Sequence, residues 1–154
     1  AVEVLEPVVR DFSIRLAPGQ YTVFGDASGT GKSTVLKALA SLLTDYRDDP
    51  ESLARAANIV RRLRGTDVPA FQDTYGWIAF RRNNLEEALA YLEPAAAGLP
   101  DNAVVQYHLG MTYAALSRNE DARDRLERAL DLAGDSSLPQ FEAARRKLEE
   151  LAAQ

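Results

Sequence analysis

Gly76 and Gly110 stand 34 residues apart, and so do Ala88 and Ala122, Leu92 and Leu126, and Ala95 and Ala129. A fixed period of this size means that the second half of the chain is built by repeating one supersecondary unit, not by folding a single irregular core. The residue types at the matched positions describe that unit as two amphipathic helices. Small residues let the backbones approach closely, while Leu and Tyr at helical spacing fill the seam against the neighbouring unit. The expected fold is therefore mainly α, a solenoid of helical hairpins. Arrays of this kind bind partners and rarely catalyse.

The period and the residue types resemble the tetratricopeptide (TPR) family. In the unit from Pro69 to about Asn102, Tyr75 and Gly76 stand where that family has its Leu-Gly pair, Ala88 is the small residue of the second helix, and Leu92, Ala95 and Pro100 follow. The next unit, Ala103 to about Ser136, supplies Leu109, Gly110, Tyr113, Ala122, Leu126 and Ala129, with Gly134 at the place of the closing Pro. An earlier, degenerate unit precedes them. Val35, Leu36, Leu39, Leu42 and Leu43 form one apolar stripe, Asp48 to Glu51 make a turn and helix start, and Leu53, Ala56, Ala57 and Val60 form a second stripe. This earlier stretch is similar to the penultimate repeat of bacterial TPR proteins. After Ser137, Phe141, Ala144, Leu148 and Leu151 with charged residues between them predict a final capping helix. Helices are thus expected over 33–45, 50–64, 69–82, 85–97, 103–117, 119–133 and 138–153, with residues 35–154 forming the repeat domain.

Residues 1–34 have a different character. Phe12, Ile14 and Leu16 alternate with Ser13 and Arg15, the run Ala17-Pro18-Gly19-Gln20 makes a turn, and Tyr21 to Phe24 is β-rich, so a short N-terminal hairpin is expected. A glycine-rich segment, GDASGTGKST from Gly25 to Thr34, then leads from strand to helix, the context that a phosphate-binding loop requires. Together with the flanking sequence it resembles the opening of an ABC-type ATPase nucleotide-binding domain. That resemblance implies a nucleotide held by Gly29, Thr30, Gly31, Lys32, Ser33 and Thr34: backbone N–H groups on the phosphates, Lys32 on the β- and γ-phosphates, and the Ser33 hydroxyl on Mg²⁺ if a Mg-nucleotide binds. The helix from Ser33 to about Asp45 serves both patterns, so the chain reads as a hybrid in which residues 1–34 are too few to fold alone.

Two departures count against an ATPase. Five residues separate Gly25 from Gly31 where the phosphate-binding pattern has four, and removing Ala27 would restore it. The hydrophobic strand ending in Asp, the catalytic Glu, the signature motif and the switch His of an ABC ATPase have no counterparts after Ser33. Asp67 follows the basic run VRRLRGT, and His108 lies inside a repeat helix, where a surface or groove position is expected. Without an oriented water and a positioned metal, a loop offers ground-state binding alone. The chain is expected not to be an enzyme.

Charge and composition narrow the partner. A net charge of −5 disfavours nucleic acid and anionic membranes as main partners. Arg61, Arg62 and Arg64 read as a solvated helix face. The chain has no Cys and one His, which removes disulfides, thiol catalysis and Cys-zinc sites, so no cofactor is expected unless the loop takes Mg-ATP. With no apolar run of membrane-spanning length and no signal peptide in view, a soluble bacterial protein, cytoplasmic or periplasmic, is expected.

Transferring the groove positions of the TPR family by register gives Asp73, Trp77, Phe80 and Arg81 in one unit and Tyr107, Met111 and Ala114 in the next. Aromatic and Arg side chains are the expected anchors for a peptide or helix on the concave face, the alternative being that Trp77 and Phe80 simply pack against the preceding helices or the hairpin. Asp73 and Trp77 occupy the places where some TPR domains carry the Lys and Asn that clamp a terminal carboxylate, so binding of chaperone tails is disfavoured. Two hypotheses stand: a non-enzymatic interaction scaffold, and an ATP- or GTP-binding module fused to an interaction arm. The extra loop residue makes the second testable. No ATP turnover is expected, and calorimetric titration with Mg-ATP should give no binding tighter than about 100 μM, roughly −5.5 kcal/mol. Deleting Ala27 should strengthen phosphate binding. Saturable hydrolysis abolished by Lys32→Ala would reverse the ranking.

Overall fold

A computed structural model of the chain describes residues 13–17, 20–24, 50–61 and 64–153. Two strands, β1 (Ser13–Ala17) and β2 (Gln20–Phe24), pair antiparallel with Ser13 opposite Phe24 and Ala17 opposite Gln20. Six helices follow: α1 (Pro50–Val60), α2 (Pro69–Arg81), α3 (Leu85–Gly98), α4 (Ala103–Ala115), α5 (Asn119–Ala133) and α6 (Pro139–Ala152). The fold class rests on these helices. Among the described residues the main contacts run within the strand pair or between helices. The glycine-rich segment and the helix expected over 33–45 lie outside the described residues.

Local chemistry fixes the helix ends. Proline occupies the first turn of α2 and of α6, where its missing N–H costs nothing and its fixed φ suits the helix. At the start of α4 the Asn102 side chain accepts from the N–H groups of Val104 and Val105 at 3.1 and 3.2 Å. The turns inside the two hairpins are copies of each other. Asn83 and Ser117, one period apart, both adopt left-handed φ values of 61° and 59°. In each turn the following N–H reaches back five residues, Asn84 to the Ala79 carbonyl and Arg118 to the Tyr113 carbonyl, both at 2.9 Å.

Some boundaries differ from expectation. The helix anticipated to Arg64 ends at Val60; further on, Gly65 turns the chain at φ 77° and its N–H donates to the Tyr91 hydroxyl at 2.9 Å. The helix anticipated to Ser117 ends at Ala115 because Ser117 is the left-handed residue of the turn.

Packing explains the period. Ala88, Leu92 and Ala95 of α3, and Ala122, Leu126 and Ala129 of α5, have no exposed surface. The glycines belong to the crossing within each hairpin, not to the seam between neighbouring units. A Cβ built on Gly76 would lie 2.7 Å from Leu92 Cγ, and one on Gly110 would lie 2.8 Å from Leu126 Cγ and 3.1 Å from the Leu126 amide nitrogen. Hairpins α2–α3 and α4–α5 then stack side by side, and α6 covers the open end with Phe141, Ala144 and Leu151. Arg123 ties α5 to this cap by donating to the Leu151 carbonyl. A smaller cluster of Ala56, Val60 and Ile78 joins α1 to α2.

Polar contacts repeat as well. Gln72 and Gln106, again one period apart, each donate a side-chain amide to the carbonyl six residues earlier, at Thr66 (3.0 Å) and Pro100 (3.2 Å). Because Leu126 is fully buried and its own backbone lies beside Gly110, it has nowhere to retreat. Gly110→Ala is therefore expected to lower stability by about 1–3 kcal/mol in urea denaturation, and Gly110→Leu by at least as much. An unchanged midpoint for both would show that the helices separate freely.

Candidate functional site

The first helices of the two hairpins, α2 and α4, lie side by side, and their facing residues form one aromatic and polar cluster. Trp77 is its centre. Its ring stacks on His108 with centroids 4.0 Å apart and an interplanar angle of 15°, and on Phe80 at 4.7 Å and 10°. Tyr107 meets the indole at 5.7 Å in a tilted arrangement, and the Arg81 guanidinium lies 5.9 Å from the indole centroid, within reach of a cation–π attraction worth about 0.5–1 kcal/mol. The spacing of α2 puts Asp73, Trp77, Phe80 and Arg81 on one face through steps of three and four residues.

Asp73 completes the cluster from below. Its Oδ1 accepts from His108 Nδ1 at 2.8 Å, which sets the ring orientation and the tautomer that carries the Nδ1 proton. Both side chains are almost wholly buried, at 11% and 10% exposed. A buried polar pair of this kind is stable only when each partner has the other, so it fixes α2 against α4 in one register. Within α4 the buried Thr112 hydroxyl donates to the His108 carbonyl at 2.8 Å.

The groove positions inferred from the sequence therefore divide, with Ala114 half-buried. Asp73, Trp77 and Tyr107 are buried, while Phe80, Arg81 and Met111 are half-exposed beside them. Of the aromatics, Trp77 and Tyr107 lie within the face and Phe80 at its surface. His108, expected at a surface or groove position, is buried between Trp77 and Asp73. Sequence reasoning did not include it in the site. The signal was the 35-residue separation from Asp73, one period plus one residue, which places an acid and an imidazole on adjacent first helices. Gly29, Thr30, Gly31, Lys32, Ser33 and Thr34 lie outside the described residues.

Behind this face, α3 and α4 are joined by Tyr113, whose hydroxyl donates to Glu93 Oε1 at 2.8 Å beneath the Arg118 guanidinium, 4.3 Å from the ring centroid. Burial and the bond to Glu93 push the phenol up to about 12, so it stays a donor throughout the neutral range. Among the described residues no group of three His, Asp or Glu side chains could hold a metal ion, and no helix is long and apolar enough to cross a membrane.

This arrangement of stacked helical hairpins has known counterparts. Residues 79–148 match the tetratricopeptide repeat family. The described helices form a TPR-like solenoid. Among solved structures, the TPR domain of Sgt2 from Aspergillus fumigatus is similar with a TM-score of 0.61 and 16% identity, covering 81% of this chain and 84% of that one. The first TPR of Spaghetti (RPAP3), solved with the HSP90 peptide SRMEEVD bound, gives a TM-score of 0.62 and 18% identity over 80% of this chain and 94% of that one. The Arabidopsis OM64 TPR domain gives 0.58 and 16%, covering 77% and 95%. These likenesses establish the fold. A different relative comes from sequence: the aliphatic sulfonates import ATP-binding protein SsuB 1 of Xanthomonas axonopodis pv. citri (strain 306) is 37% identical over 95 residues. That match takes in 58% of this chain and spans 35% of the relative's length.

The Asp73–His108 pair gives a direct test of the cluster. Asp73→Ala should cost about 1–3 kcal/mol in chemical denaturation, because it leaves a buried ring N–H without an acceptor. Asp73→Asn keeps an acceptor and should cost less. The near-ultraviolet circular dichroism of the single Trp should weaken in the Ala variant as the stack on His108 loosens. Equal stability of wild type and both variants would remove the pair from its structural role.

Proposed function

We propose that this chain is a non-enzymatic protein-interaction scaffold whose helical repeat domain, residues 35–154, binds a peptide or helix of a partner protein on the face formed by α2 and α4. The observation that carries this reading is the buried stack of Trp77 on His108, held by Asp73 and flanked by the half-exposed Phe80, Arg81 and Met111. A surface whose aromatic side chains are already ordered loses little conformational freedom on binding, which is the property that makes such residues anchors. Phe80 and Met111 would supply apolar contact, Arg81 a charged one, and the buried trio would hold them in place. The fold supports the same class of function, since the RPAP3 domain it resembles was solved with a peptide bound.

The kind of partner is narrowed by charge. Asp73 is engaged with His108, and an acid at that position repels a terminal carboxylate, so a chaperone tail of the SRMEEVD type is not the favoured ligand for this face. A second reading, a nucleotide-binding module in residues 1–34, draws on the likeness to the transporter ATP-binding protein and would employ Gly29–Thr34 with Mg²⁺ on Ser33. It ranks below the scaffold because the loop carries an extra residue.

Screening an immobilised peptide library with the full chain tests the favoured reading. Ligands should shift the emission of the single tryptophan, Trp77. The double variant Phe80→Ala/Met111→Ala should weaken them by at least about tenfold, or about 1.4 kcal/mol. Ligands that bind this variant as well as wild type would place recognition elsewhere.

A further inference from the structure

Helix α1 departs from the two helices that correspond to it. In α3 the residues at the repeat positions are Ala88, Leu92 and Ala95, in α5 they are Ala122, Leu126 and Ala129, and all six are fully buried. One period of 34 residues before the α3 set stand Ala54, Asn58 and Arg61, and all three are exposed. An amide and a guanidinium replace leucine and alanine, groups that are costly to bury without partners. At these positions α1 carries the exposed Asn58 and Arg61, while Ala56 and Val60 on the same helix are buried in the cluster with Ile78.

Asn58 and Arg61 line a cleft of about 400 Å³ between α1 and α2. Its floor is apolar, formed by the buried Val60, Ile78 and Ala79. Its rim is cationic, and the three guanidiniums come from two pieces of backbone: Arg61 and Arg64 in the connection from α1 to α2, and Arg82 in the turn after α2. The Arg64 connection is held by the Gly65 N–H bond to Tyr91, whose ring lies 4.4 Å from that of Tyr75.

Glu87 is the acidic side chain in the cleft, and it is already occupied. Its Oε1 accepts from the Tyr75 hydroxyl at 2.9 Å, and its Oε2 accepts from Asn84 Nδ2 at 2.6 Å. Arg64 stands 3.9 Å from it, at the outer limit of an ion pair, with its own side chain 70% exposed. Among the described residues Arg61 and Arg82 pair with no carboxylate. Three cations therefore face one engaged anion in a chain whose net charge is −5, so the local sign opposes the overall one.

From these features we infer that the cleft is a second binding subsite that takes an acidic amphipathic segment of the peptide partner, with carboxylates on the arginine rim and apolar side chains on the floor. Arginine suits this role because its planar fork can hold a carboxylate through two parallel bonds. The inference rests on the peptide-binding reading but concerns a surface apart from the α2–α4 face. An acidic segment entering here would be oriented by charge before the apolar contacts form.

The test is fluorescence anisotropy on the full chain with a labelled peptide of alternating Glu-Leu pairs, compared with Gln-Leu and Lys-Leu versions. The Glu peptide should bind at least about tenfold tighter than the Gln peptide and should weaken as salt is raised. The exposed-site variant Arg61→Gln/Arg82→Gln should lose about tenfold in affinity, while Arg145→Gln on α6, remote from both surfaces, leaves it unchanged. Equal binding of the Glu and Gln peptides, or an arginine variant that binds as wild type, overturns the subsite. Calorimetric binding of inorganic phosphate with no binding of the Glu peptide overturns it too, by making the cleft a small-anion site. If Met111→Ala alone weakens the Glu peptide, the subsite falls and the α2–α4 face stands. If the arginine variant alone does so while library ligands ignore Phe80 and Met111, the subsite stands and the face falls.

Discussion

The closeness with which two helices cross inside each hairpin governs the rest of the array. At Gly76 and Gly110 the first helix has no Cβ, and the leucine of the second helix fills the space that a Cβ would take. On the same second helices Ala88 and Ala95, and Ala122 and Ala129, are fully buried with single methyl groups. Interiors packed to crystal-like density accept no added methylene without displacement, so the crossing sets the angle of each hairpin. Once both hairpins share that angle, their first helices run side by side and place Trp77, Tyr107 and His108 within ring contact.

The α2–α4 face thus inherits its geometry from packing behind it. Stacking of Trp77 on His108 needs the two helices in one register, and the Asp73 carboxylate enforces that register by accepting from the ring it would otherwise leave unsatisfied. A shift of one residue along either helix would break the polar pair and the stack together. The buried pair therefore contributes uniqueness as much as stability. The half-exposed side chains around it, Phe80, Arg81 and Met111, are held by neighbours that cannot move independently.

Much of this was legible in the sequence because the period is a direct imprint of packing. Gly76, Gly110 and the Ala-Leu-Ala sets revealed the hairpin unit, and the TPR resemblance put Asp73, Trp77, Phe80, Arg81, Tyr107 and Met111 on one face. Burial was harder to read. A tryptophan at a groove position can project or lie flat, and what decides is the neighbour across the seam, His108, which is one residue out of phase with Asp73. The Gln72 and Gln106 bonds were equally hidden, since a side-chain amide that meets a backbone carbonyl leaves no hydrophobic pattern. Beyond the end of α1 at Val60, the turn at Gly65 is tied to Tyr91, 26 residues away. Propensity along VRRLRGT alone favours a longer helix. The basic cluster read as a solvated helix face changes meaning once Arg82 is seen across the cleft from Arg61.

The paired turns at Asn83 and Ser117 bear on how the chain assembles. Each closes on carbonyls of the helix just before it, so a hairpin needs no distant segment to define its bend. The entropy lost in closing so short a loop is small, and contacts between neighbouring helices of one hairpin are local in sequence. Folding can therefore begin independently in either hairpin, with the meeting of Trp77 and His108 as the later, docking event. The two do not start equal, because α3 carries Pro94 in its interior, whereas the interior of α5 is uninterrupted. A proline there removes one helical hydrogen bond, which leaves the α4–α5 hairpin as the better template on which the rest of the array can grow.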